Sequence, residues 1–315
     1  MTGRTGNKRV GLALGGGGSR GFAHIGVLKV LEEESIPVDI IAGTSIGAVI
    51  GGAYASGFGP AELVEKVEEI VRSPLARLPV FQTVEETGKQ QKQKETGLTD
   101  KVGLFFKSQW LFAQALFKPG MMEGEDFQAV VNHFIPDIRV EDTKIPFRAV
   151  AADLISGKEV VLSRGSLRRA VMASCAVPGF MPPVKEGDML LVDGGIVNMV
   201  PCSIVRGEGA QVVIAVDVDR DIGADSNFKN AIDVYIRAAE IGNFHLSYFR
   251  LKDADVTLRP RVGSIKWFDI SQSAGIISEG ERCAREGMER IRKLIPEKKE
   301  RKLLAALRAL FNKKA

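Results

Sequence analysis

Along the first sixty residues, short apolar runs that stop at glycines alternate with amphipathic stretches. Val10–Leu14 (VGLAL) ends at GGGGSRG, and Val38–Ala42 (VDIIA) ends at GTSIG. Compact apolar runs bounded by turn residues predict buried strands. Between them, Phe22–Glu34 sets Ile25, Leu28, Val30 and Leu31 on one side and Lys29 and Glu32–Glu34 on the other, which predicts a helix. Ile46–Ser56 predicts a second. Two strand–turn–helix units in succession need crossover connections, and therefore parallel pairing in an α/β sheet.

The same signals continue downstream. Helices are predicted over Pro60–Arg72, Glu125–Phe134, Leu167–Ala173, Ala231–Leu251 and Gln272–Leu294. Phe147–Leu154 and Lys158–Leu162 flank Ser156-Gly157 and predict a hairpin. Met189–Val192 predicts a strand ending at Asp193-Gly194-Gly195, and Gln211–Val218 and Asp255–Leu258 predict two more. Thr83–Thr99 is polar and without apolar period, the pattern of a loop. Leu104–Phe117 (LFFKSQWLFAQALF) is apolar and aromatic, which suits a lid or acyl-chain wall and equally suits core packing. The expected organisation is one domain over residues 8–295, with a loop and lid at about 83–120, and a separate tail over 296–315.

That tail changes character. Leu303, Leu304, Leu307, Leu310 and Phe311 recur at helical spacing, with Lys298, Lys299, Arg301, Lys302 and Arg308 on the remaining face. This is a basic amphipathic helix, suited to an anionic membrane surface or to packing on protein. No apolar run approaches the ~18 residues of a membrane span, and the N-terminus lacks a signal-peptide core. The expected location is cytoplasmic, with peripheral contact at a membrane face.

Composition narrows the field further. An apolar fraction of 45% and a charged fraction of 26% are those of a globular protein. The net charge of +4 gives no reason to expect nucleic acid. The three cysteines, Cys175, Cys202 and Cys283, are far apart and read as reduced thiols. With only three histidines and no Cys/His cluster, no metal site is expected.

Three glycine-bearing motifs carry the candidate chemistry. In Gly15–Gly21 (GGGGSRG), Gly16, Gly18 and Gly21 satisfy the dinucleotide pattern GxGxxG. That fingerprint wants an acid at the end of the second strand. Asp39 lies at its start, and no Lys-Ser/Thr follows to make a P-loop. The alternative is an anion cradle, since consecutive glycines before a helix expose backbone N–H groups to a developing oxyanion. Gly43-Thr44-Ser45-Ile46-Gly47 is GxSxG between strand and helix, the context of a nucleophile elbow. Ser45 also fits as a plain helix cap. A nucleophile needs a base. Asp193, at a strand end before two glycines, is the stronger candidate, because active-site groups gather at carboxyl strand ends. The order Ser45, Asp193, His245 keeps a triad open, whereas His24 and His133 read as packed or surface residues. Asp217, Asp219 and Asp221 imitate a calcium loop, but Ile222 and Phe228 stand where it needs Gly and Glu.

GGGGSRG, GTSIG and DGG in this order resemble the patatin-like phospholipase family. GFAHIGVLKVLEEESIPVDIIAGTSIGAVIGGAYASG and ASCAVPGFMPPV resemble its bacterial members and its neuropathy-target-esterase branch. The resemblance covers roughly residues 8–295. It implies a three-layer α/β/α sandwich with a mostly parallel central sheet, and a Ser–Asp dyad with Ser45 as nucleophile and Asp193 as proton acceptor. It places the oxyanion loop at Gly16, Gly17 and Gly18, with Arg20, Gly43, Gly47, Gly194 and Gly195 in support. It further implies hydrolysis of lipid acyl esters without metal or cofactor.

Overall fold

The structure is a computed structural model that describes residues 8–77, 124–219, 222–223, 228, 231–266 and 268–295. The loop expected at 83–99, the aromatic segment 104–117 and the basic tail 297–315 lie outside the described residues.

Eight strands form one sheet. They are β1 (Val10–Leu14), β2 (Ile40–Thr44), β3 (Phe147–Asp153), β4 (Glu159–Leu162), β5 (Val184–Glu186), β6 (Met189–Asp193), β7 (Val212–Val216) and β8 (Val256–Leu258). The helices are α1 (Ala23–Glu33), α2 (Ile46–Ser56), α3 (Pro60–Arg72), α4 (Gly124–Phe134), α5 (Leu167–Ser174), α6 (Cys202–Gly207), α7 (Ala231–Arg250) and α8 (Ser273–Leu294). Strands β3, β2, β1, β7 and β8 are parallel in that order, and β4, β5 and β6 add antiparallel pairings.

The central strands are buried on both faces. Leu12, Leu14, Ile41, Ile214 and Val216 face the larger core with α1, α2, α5 and α8, while Ala13, Ile40, Ala42, Val213 and Ala215 face α6. This alternation, apolar on both sides, is why the strands read as unbroken apolar runs. The result is the three-layer α/β/α sandwich.

Most boundaries shift by a residue or two from expectation, and those of β2 bear on the site. Strand β2 begins at Ile40, because Asp39 lies beside the start of β1: its carboxylate accepts the Val10 N–H at 2.8 Å and its own N–H donates to the Val10 carbonyl. The strand then runs through Gly43 to Thr44, so Ser45 follows it directly. Strand β5 and helix α6 carry no sequence signal of their own; each is too short, at three and six residues, to show a period.

The registers along β3 decide where the site forms. β2 pairs with Phe147–Val150, β6 with Ala151–Asp153, and β4 with Ala149–Ala152, overlapping both. A strand has two edges, so β4 occupies one and β2 and β6 lie end to end along the other. Thr44 pairs with Val150 and Asp193 with Ala151. Ser45 and Asp193 therefore meet where two strand ends abut. The expectation that Asp193 arrives at the carboxyl end of a parallel strand is corrected: β6 runs antiparallel to β3.

Candidate active site

The GTSIG turn is shaped by two close backbone approaches. A Cβ on Gly47 would stand 2.1 Å from the Leu14 carbonyl oxygen, and one on Gly43 would stand 2.3 Å from that of Gly47. No side chain fits at either place, so only glycine lets α2 start so near β1 and β2. Between them, Ser45 has φ 56° and ψ −127°. A non-glycine residue at positive φ costs on the order of 1–3 kcal/mol, and such strain clusters at functional sites. The Ser45 side chain makes no cap hydrogen bond to α2, so the plain capping role is not the one it plays here.

Asp193 is 5% exposed, and its carboxylate accepts the Gly195 N–H at 2.7 Å. Desolvation lifts its pKa to about 6, against the pull of the Ser45 hydroxyl and of that N–H, which favour the charged form. Cys175 stands beside both. Burial and then the Asp193 carboxylate hold its thiol well above the ordinary range, so it remains S–H.

Above them lies the glycine turn. The N–H of Gly16 donates to the Met199 carbonyl at 3.1 Å, which removes Gly16 from the free donors and leaves it as a spacer. A Cβ there would press on Met199 at 2.8 Å and Ser45 at 3.2 Å. The N–H groups of Gly17 and Gly18 head the helical turn Gly18–Phe22 and have no internal acceptor among the described residues. Buried Arg20 braces this turn: its Nε donates to the Gly17 carbonyl at 3.0 Å, and its Nη2 pairs with Asp219 at 3.2 Å.

An apolar cavity opens from Ser45. Phe22, Val49, Phe127, Phe134, Met181 and Phe268 line it, with Gly18, Ser19 and Cys175 near the serine. It suits a hydrocarbon chain.

The histidines lie elsewhere in the chemistry. His24 is fully buried, and its Nε2 bonds to the Gly15 carbonyl at 2.8 Å. Desolvation lowers its pKa to about 4, so the ring is neutral and supports the glycine turn from below. His133 bonds through Nε2 to the Lys66 carbonyl at 2.8 Å. His245 is exposed on α7, in ring contact with Phe244. The triad order is therefore not matched by a histidine at Asp193 among the described residues. Of the aspartates that imitate a calcium loop, Asp217 pairs with Arg259 at 3.0 Å and Asp219 with Arg20. Asp221 lies outside the described residues.

One contributor carried no role in the sequence reading. The Ser45 N–H donates to the Ser174 hydroxyl oxygen at 3.0 Å, and the Ser174 hydroxyl donates to the Val150 carbonyl at 2.6 Å. The signal lay within ASCAVPGFMPPV, but a helix-terminal serine is too common to single out by pattern.

A serine at a strained strand-to-helix turn, with a buried carboxylate and two open N–H groups beside it, is an arrangement suited to acyl transfer. A family model described as patatin-like phospholipase matches residues 12–206. Human patatin-like phospholipase domain-containing protein 6 is 36% identical over 218 residues, 68% of this chain and 14% of that protein. An uncharacterised NTE family protein of Mycobacterium tuberculosis is 34% identical over 211 residues, 67% of this chain and 49% of the other. Among solved structures, VipD from Legionella pneumophila aligns with a TM-score of 0.46 and 14% identity, covering 89% of this chain and 66% of that one. The chain belongs to the patatin-like phospholipase family, whose members are hydrolases acting on ester bonds of lipids. The match takes in half or less of the length of these two curated relatives.

Proposed function

We propose that this chain is a serine acyl-ester hydrolase acting on membrane-derived lipids, with Ser45 as nucleophile and Asp193 as its base. The observation that carries the proposal is the pairing of a strained Ser45 with a buried carboxylate at the mouth of an apolar cavity. Ser45 Oγ attacks the ester carbonyl carbon while its proton passes to Asp193. The N–H groups of Gly17 and Gly18 receive the oxyanion, with Gly16 setting their position, and the amino end of α2 adds its positive dipole. The tetrahedral intermediate collapses, and the alcohol leaves with the proton from Asp193. Water then attacks the acyl-serine, giving a proton to Asp193; as this second intermediate collapses, Asp193 returns the proton to Ser45 Oγ and the fatty acid departs.

A carboxylate is a weak base in water. Its desolvation in this site raises its basicity toward working pH, which is what a general base needs. Arg20 holds the turn, and Gly43, Gly47, Gly194 and Gly195 permit the close approaches that set the geometry. The test is a hydrolysis panel of p-nitrophenyl esters, lysophospholipids and diacylphospholipids. Turnover of one or more, lost in Ser45→Ala, is expected; turnover that survives Ser45→Ala would overturn the proposal.

A further inference from the structure

We infer that Ser174 is a positioning residue: its buried hydroxyl, with the Ala176 carbonyl two residues on, clamps Ser45 and Asp193 to the edge of β3. The inference rests on Ser45 and Asp193 being nucleophile and base. Its basis is the junction on the β3 edge. Where the ends of β2 and β6 abut, the Ser45 N–H, the Val150 carbonyl and the Asp193 N–H bond to groups outside the strands, and a buried unpaired group there would be costly.

The last residue of α5 and the two that follow it supply those partners. Ser174 is fully buried. It accepts the Ser45 N–H at 3.0 Å and donates to the Val150 carbonyl at 2.6 Å, tying the nucleophile to the β3 residue that pairs with Thr44. Ala176 accepts the Asp193 N–H at 2.9 Å. Gly194 lets the two strand ends close, since a Cβ there would lie 2.4 Å from the Val150 carbonyl oxygen. One three-residue stretch thus fixes both reacting residues by their backbones, and Cys175 between them lines the cavity at Ser45. Neither bond touches substrate. The first holds Ser45 at a positive φ that the local chain does not prefer.

The experiment follows the labelling rate and the labelled fraction with a fluorophosphonate probe, on the full chain. Ser174→Ala should still label to full stoichiometry, with the rate constant down about ten- to a hundredfold, as for other misplaced reacting groups. Its kcat on a p-nitrophenyl ester should fall in parallel, with KM changed by less than about twofold. Ser174→Cys, which keeps a weak donor and acceptor, should fall between. Ser56→Ala, which removes an ordinary hydroxyl bond to the Gly52 carbonyl on α2, should label at the unaltered rate. A wild-type rate in Ser174→Ala overturns the clamp, as does a loss of rate matched by an equal loss of labelled fraction. If Ser174→Ala does not fold, Ser174→Cys decides by the same two criteria. If neither folds, amide exchange in the unaltered protein decides: the Ser45 N–H should exchange as slowly as the β2 amides, and loop-like exchange overturns the clamp. Failure of the unaltered protein to label, or labelling that persists in Ser45→Ala, would instead strike the assignment of Ser45.

Discussion

Burial lifts the Asp193 carboxyl to about 6, and this has two consequences of opposite sign. A base must be ionised, so kcat/KM should rise as pH climbs through about 6 and level off above it; a pH–rate profile flat from 5 to 8 would contradict this role. Stability runs the other way. The folded state holds the Asp193 proton more tightly than the unfolded chain, whose carboxyl titrates near 3.9. The stabilising contribution is present below that value and is lost as pH rises through about 6. Asp193→Asn should therefore abolish hydrolysis and yet raise stability at pH 8, by on the order of 2–3 kcal/mol, with the gain shrinking toward pH 4. His24 titrates in the opposite sense, since its lowered pKa makes acid destabilising. Denaturant melts of the unaltered protein and the Asn variant at each pH cancel His24 and isolate Asp193.

The strand-to-helix turn is where the sequence and the geometry agree most fully. Gly47→Ala would drive a Cβ into the Leu14 carbonyl at 2.1 Å, which calls for a backbone shift and a loss on the order of 3 kcal/mol or more. Gly242→Ala, in α7 with open space around it, should instead stabilise by roughly 0.5–1 kcal/mol. Chemical melts of the two variants check both signs. Val10–Leu14, GTSIG and the long helices were legible because each carries a local signal: an apolar run, a glycine pair or a 3.6-residue period. Asp193 was legible as a residue, but the direction of its strand was not. Whether β6 pairs with β3 parallel or antiparallel depends on partners distant in the chain. Ser174 was hidden for the same reason, since its role exists only once β2 and β6 abut. The glycine run implies an oxyanion donor at Gly16, yet its N–H bonds to the Met199 carbonyl, far along the chain.

Across the whole molecule, the sheet brings residues from three distant stretches to one junction: the glycine turn after β1, Ser45 after β2, and Asp193 at the end of β6. No helix among the described residues is long and apolar enough to cross a membrane. For contact with a lipid surface we propose the basic amphipathic stretch 297–315, through Lys298, Lys299, Arg301, Lys302 and Arg308 on anionic headgroups. Deleting 297–315 should weaken binding to anionic vesicles, and salt should weaken the binding of the full chain; unchanged sedimentation with vesicles after the deletion would contradict this. Ser45 as nucleophile and Asp193 as the base behind it is the proposal on which these outcomes turn. Mass spectrometry of the fluorophosphonate-treated protein tests it most directly. The adduct should sit on Ser45, be absent in Ser45→Ala, and form far more slowly in the folded Asp193→Asn variant while His245→Ala labels at nearly the unaltered rate. An adduct elsewhere, or a loss of labelling in His245→Ala with Asp193→Asn unaffected, would contradict the account.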